Sequence, residues 1–361
     1  MRTRMLVAAL VAGAAIAPVI AQTKTPAAPA AVPASGATPA KKASTAAPAK
    51  KAYVVPRTPW GDPDLQGIYQ ANDNHGVPFE RPANAAGKTE VTSQEADARR
   101  ERATQASIWG YDREWRDTAP GFVKTDASRQ VAMVLEADGR VPPLTSAGQA
   151  RAAERARAGV GFVEGSNEDI RADLWVTDLS PWVRCITRGY PEMWIPQPYN
   201  NGIQIVQGPG YVVIEHEMVH EARVIPIDRT ATALGPKLTQ WLGAPRGHWD
   251  GDTLVVEIGN FNGRATFRGA TAALKLTERY TRTDRNTIQY RARVDDPDTW
   301  VRPWTFGFDI KRDDEQYELV EYACHEGNYA ATNILKGARA KEAAAAAPGA
   351  TPAANPAPTA K

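Results

Sequence analysis

Over most of the second half of the chain, apolar and polar residues alternate with period two, the spacing of a strand with one buried face. Asp250-Gly251 marks a hairpin turn with its return strand at residues 253–257. Further strands are predicted at residues 274–282, 287–294, 300–310 and 316–323, separated by the turn strings TDRN, DDPD and RDDEQ. Trp300, Trp304, Phe306, Phe308 and Ile310 fall on one face, which is the expected core face. An earlier short strand is predicted at residues 65–70, after a Pro/Gly/Asp-rich turn in which Asp62 and Asp64 read as turn residues rather than calcium ligands.

Two helices interrupt the strands. The first, at residues 92–117, opens on Thr92-Ser93 with Glu95 as a capping signal, and the second covers residues 145–158. Both are rich in Ala, Arg, Gln and Glu, as solvated helices are. A short C-terminal helix is predicted at residues 331–340. The fold class is therefore mainly β: an antiparallel meander sheet or lipocalin-like barrel with two inserted N-terminal helices and a short C-terminal helix.

The ends of the chain differ in composition. Residues 1–21 carry two arginines, an apolar stretch and small residues, the pattern of a signal peptide. Residues 22–52 and 341–361 are mostly Ala, Pro, Lys and Thr and read as a disordered tether and tail, leaving a single domain at 53–340 with its helical insertion at about 92–158. An exported protein, periplasmic or secreted, is expected, with no transmembrane span once the signal is removed. The balance of 43 Lys+Arg against 41 Asp+Glu gives no basic surface for nucleic acid, so the expected partner is a small-molecule ligand or substrate. The two cysteines, Cys185 and Cys324, are expected to form a disulfide in an oxidising compartment.

Candidate chemistry centres on His216-Glu217-Met218-Val219-His220. The string fits H-E-x-x-H and resembles zincin metalloproteases over these five residues alone; on a helix both imidazoles would grip one zinc. The flanks favour strand: Pro209-Gly210 is a turn, and Tyr211 to Ile214 and Val224 to Ile227 are β-rich. As one continuous strand, Ile214, His216, Met218, His220 and Val224 would share the inner face, with Glu217, Glu221 and Arg223 outside. Residues four apart on a strand are separated by about 13 Å, too far for an easy shared metal.

Glu278 and Glu321 fall on the apolar faces of their predicted strands, and a buried carboxylate needs a partner. His325 follows Cys324 at the end of the last predicted strand. If the strand from Tyr211 curls beside the meander, then His216, His220, Glu278, Glu321 and His325 converge on one cavity. Histidine with carboxylate can act as an acid–base pair or as ligands for a divalent metal such as zinc, with His216 and His220 as the metal ligands. No serine elbow, P-loop or dinucleotide fingerprint is present. The expected function is an exported hydrolase or lyase acting on a small substrate. The alternative is a non-catalytic periplasmic barrel binding an apolar, aromatic or sugar-like ligand, for which the ten tryptophans are suited.

The strings PDLQGIY (63–69), QIVQGPGYVVI (204–214), GHWDGDTLVVE (247–257) and EYACHEGNY (321–329) together resemble an uncharacterised family of exported bacterial proteins. That resemblance implies homology and export rather than an activity. Gly67-Ile68-Tyr69 is similar to the Gly-x-Trp start of lipocalin-like barrels, with Tyr in place of Trp.

Overall fold

The computed structural model describes residues 53–107, 126–157, 179–197, 199–227, 235, 237–264, 267–314 and 317–347. The expected signal peptide and tether lie outside the described residues, as does the end of the first predicted helix.

Among the described residues nine strands form one antiparallel sheet: β1 (Gly67–Gln70), β2 (Gly202–Gly208), β3 (Tyr211–His216), β4 (Glu221–Pro226), β5 (Ala244–Asp250), β6 (Thr253–Gly259), β7 (Lys275–Asp284), β8 (Thr287–Asp295) and β9 (Trp304–Arg312). Their order is β4-β3-β2-β1-β9-β8-β7-β6-β5, so the early strand β1 joins the β2–β4 meander to the β5–β9 meander. The sheet curls until β4 and β5 lie side by side, making a nearly closed barrel. Gly247 permits that approach: a Cβ there would sit 2.5 Å from Ile227 Cδ1 and 2.9 Å from Ile225 Cγ2.

The barrel interior is a packed core. Trp304, Phe306, Phe308 and Ile310 of β9 are at most 1 % exposed, and Tyr290, Ala292 and Val294 of β8 face the same interior. Each such large apolar side chain contributes on the order of 1.5–3 kcal/mol of burial, as an upper bound. At one level of this interior Phe267 stacks on Trp304 at 6.0 Å, and Trp300 meets Trp304 edge-on at 5.3 Å.

Helices α1 (Ser93–Ser107) and α2 (Ser146–Arg157) lie in the predicted insertion. A reciprocal capping box starts α1, with Glu95 N–H donating to Thr92 Oγ1 at 3.2 Å and Thr92 N–H to Glu95 Oε2 at 2.8 Å. The C-terminal helix α3 (Tyr329–Ala346) is longer than expected at both ends. The Asn328 side chain accepts from Ala331 N–H at its start, and the alanine-rich run at the start of the expected tail extends it, because alanine has the highest helix propensity.

One predicted strand is corrected. Residues 317–323 form no ladder, because β9 is already flanked by β8 on one side and by β1 and the segment at Met133–Leu135 on the other, and offers no edge. Among the described residues no helix is long and apolar enough to cross a membrane.

Candidate functional site

Ahead of β2, the chain sends two aromatic side chains into the barrel. Tyr190 and Trp194, 0 % and 1 % exposed, stand just before and at the end of the short 3-10 turn Glu192–Trp194 and plug the lumen. Trp194 stacks on Tyr290 with centroids 4.3 Å apart and a 19° tilt, and its Nε1–H donates to Tyr190 Oη at 2.7 Å. Tyr190 in turn donates its hydroxyl to Glu278.

Glu278 is wholly buried, and every contact it makes reduces the cost of that burial. Arg223 Nη1 and Nη2 both donate to Oε2 at 3.1 Å, and Tyr290 Oη donates to Oε1 at 2.7 Å. Arg223 also donates to Tyr280 Oη at 3.2 Å and lies 4.0 Å over the Tyr190 ring. Burial alone would lower the Arg223 pKa, but Glu278 and the tyrosines hold it above the usual arginine value. Burial also pushes the hydroxyls of Tyr190, Tyr280 and Tyr290 well above the ordinary tyrosine range, so they stay protonated as donors. The partner expected for Glu278 is therefore present, and it is Arg223.

The H-E-x-x-H string is neither a helix nor one strand. β3 ends at His216, a turn holds Met218–His220, and β4 begins at Glu221, with Ile203, His216 and Glu221 in cross-strand register. Val219 and His220 have φ of 66° and 54°, left-handed values that are costly for a β-branched residue. The turn resets the alternation. Arg223 consequently points inward at 3 % exposure and Val224 outward at 60 %, the reverse of the continuous-strand expectation.

The two histidines part company across this turn. His220 has a 55 % exposed side chain with Nδ1 3.4 Å from Glu215 Oε1. His216 is 3 % exposed and packs edge-on against Trp194, with centroids 4.5 Å apart. Its Nε2 is buried without a hydrogen-bond partner among the described residues. Burial, reinforced by Arg223 and Arg188, pushes the His216 pKa well below the ordinary value and keeps the ring neutral. The ring lines a narrow recess at the barrel mouth together with Met193, Trp194, Met218, Asn200 and Arg188, with room for about one water-sized group.

A buried polar network braces the recess. Glu217, fully buried, accepts from Asn200 Nδ2 at 2.7 Å, from Gly202 N–H at 3.2 Å and from the Tyr317 hydroxyl. Gly202 leaves space for this carboxylate, since a Cβ would lie 2.5 Å from Glu217 Oε2. Asn201 Nδ2 bonds Asn72 Oδ1 and the Gln197 carbonyl, both at 2.6 Å. Below the turn Thr187 Oγ1 donates to Glu221 Oε2 at 2.7 Å, and burial nevertheless pushes the Glu221 pKa up to about 7.

Of the five residues expected to converge, the lumen receives His216 and Glu278, with Arg223 charged close to both. His220, Glu321 and His325 are exposed. The zinc pair His216–His220 is not assembled, because the turn places one ring inside the barrel and the other outside. Among the described residues no group of three or more His, Cys, Asp or Glu side chains is arranged to hold a metal ion. Cys185 and Cys324 are disulfide-bonded with Cα atoms 5.7 Å apart, fastening the segment before the plug to the start of α3.

Sequence reasoning missed Tyr190, Trp194, Met193, Met218 and Asn200 as site residues. The three tryptophans of residues 174–197 were the available signal, since an irregular stretch that rich in large rings must bury them somewhere. Comparison with protein-family models, curated proteins and solved structures gave no match for this chain.

Proposed function

We propose that this is an exported, non-catalytic β-barrel that holds a small guest in the recess at its mouth, with His216 as the polar anchor. The observation that carries the reading is His216 Nε2, a strong hydrogen-bonding or ligating atom left without a protein partner beside a narrow recess. The disulfide accords with an oxidising compartment. An aromatic or sugar-like guest would need Trp194 to leave the barrel, whereas a guest of about the size of a water needs no such movement. The hydrolase or lyase reading draws less support. Glu278 is wholly buried and held by Arg223 and two tyrosine hydroxyls, and Glu321 and His325 lie outside the lumen.

The test is a titration of protein labelled with ¹⁵N at histidine against formamide, formate, ammonium and silver(I), followed by the imidazole resonances. At least one probe is expected to move the His216 nitrogens saturably while leaving His325 in place. A panel in which none moves His216 more than His325 sinks the reading.

A further inference from the structure

We infer that the recess is a soft monovalent metal site, ligated by His216 Nε2 and the thioethers of Met193 and Met218, and suited to copper(I). This rests on the reading of the recess as a binding site and names the class of guest.

The sequence holds five methionines, of which Met1 and Met5 lie in the leader. Met133, Met193 and Met218 remain, and the last two both line the recess beside His216, at 5 % and 2 % exposure. Methionine is ordinarily a gap-filler in cores. What sets this pair apart is the imidazole of His216 lining the same recess, its Nε2 buried and without a hydrogen bond among the described residues. Two thioethers and a neutral imidazole form a donor set that selects copper(I) among biological metals, with silver(I) as its redox-inert counterpart.

Size and charge point the same way. The space fits about one water-sized guest, the scale of a bare ion. Among the described residues no carboxylate lines it, so calcium, magnesium and manganese would lack the oxygen donors they require. Arg188 borders the recess and Arg223 lies close by, so a single positive charge meets less repulsion than a double one; Glu278 compensates Arg223. The three donors come from two elements, the plug (Met193) and the β3–β4 hairpin (His216, Met218), so a bound ion would join them.

The test uses the full mature chain with its disulfide intact and no added thiol. Silver(I) binding is followed by the ¹⁵N-histidine spectrum, and copper(I) binding by anaerobic competition with a chromogenic chelator. One equivalent is expected to bind and to shift His216 Nε2 selectively. Met193→Leu and Met218→Leu, which conserve volume, are each expected to weaken binding at least about tenfold. If formate, formamide or ammonium moves His216 but silver(I) does not, the metal assignment falls and the binding reading survives. If no probe moves His216, both fall. Silver(I) binding that shifts His216 equally in the parent and in both leucine variants removes the methionines from the site and overturns the proposal. The wild-type spectrum alone decides whether His216 is a ligand, should a variant fold poorly.

Discussion

Asp73, in the turn after β1, is 8 % exposed and receives a hydrogen bond from Asn74 Nδ2 at 2.7 Å. Burial pushes its pKa up to about 7, against the pull of Lys311 and with a push from Asp309. The folded state therefore keeps a proton that the unfolded chain releases near pH 4. The stability this gives is full below about pH 4, declines as pH rises to about 7 and is flat beyond. Glu221 acts in the same direction. His75, lowered to about 4 by burial and by Arg100, acts oppositely, losing stability as pH falls below its unfolded value. The parent's own profile mixes these effects, so the informative quantity is the difference between Asp73→Asn and the parent. The variant should gain in Tm relative to the parent from pH 4 to pH 7, at about 2–4 °C for each kcal/mol released. A thermal-melt difference that stays constant over that range would refute the assignment. Asp73 drew no attention in the sequence because burial, the cause of its shift, is not written in the residues around it. Glu278 was legible, since a charge on an apolar face requires a partner, but Arg223 was not, because one continuous period-two pattern carried it to the outer face.

That pattern broke at one turn. Period two located β6 to β9 to within a few residues, because each is bounded by Gly, Asp, Asn or Pro. The β3–β4 turn carries none of those residues at its left-handed positions, and Val219 and His220 occupy them instead. Such strain costs on the order of 1–3 kcal/mol and persists only where the surroundings impose it. Here the buried Glu217 and Met218 on one side and Arg223 on the other fix the two strands. Replacing Val219 by Asn or Gly should therefore raise the urea unfolding free energy by about 1 kcal/mol, since either residue takes the left-handed conformation more readily. Unchanged or lowered stability in both variants would mean that contacts of the Val219 side chain outweigh its backbone strain. The same substitutions leave His216 and Met218 in place, so guest binding should persist. The missing strand at residues 317–323 is a different failure: its alternation was real, but strand order, which leaves β9 no free edge, is a property of the assembled sheet.

At the scale of the molecule, two anchors hold the 179–197 segment, and they differ in kind. Tyr190 and Trp194 are fixed from within the barrel by Glu278, Tyr290 and His216. Cys185 is fixed from outside by Cys324, across 139 residues of sequence. Chain entropy puts the disulfide's worth at roughly 5 kcal/mol for a loop of that length, an upper figure if the unfolded chain retains structure. Its local effect should fall on α3, whose contact with this segment is a small cluster of Leu179 and Ala338 with Val183, Ile334 and Leu335. The barrel does not depend on that cluster, because its own core is continuous from Leu65 to Ile310. In a Cys185→Ser, Cys324→Ser variant, hydrogen exchange should accelerate in α3 and residues 179–187, while β6 to β9 keep their protection in native conditions. His216 should still respond to the guest that moves it in the parent, because the recess is held by the inner anchor. Equal loss of protection in α3 and in β6 to β9 would mean instead that the disulfide supports the barrel as a whole, and that the plug and its outer tether act as one unit.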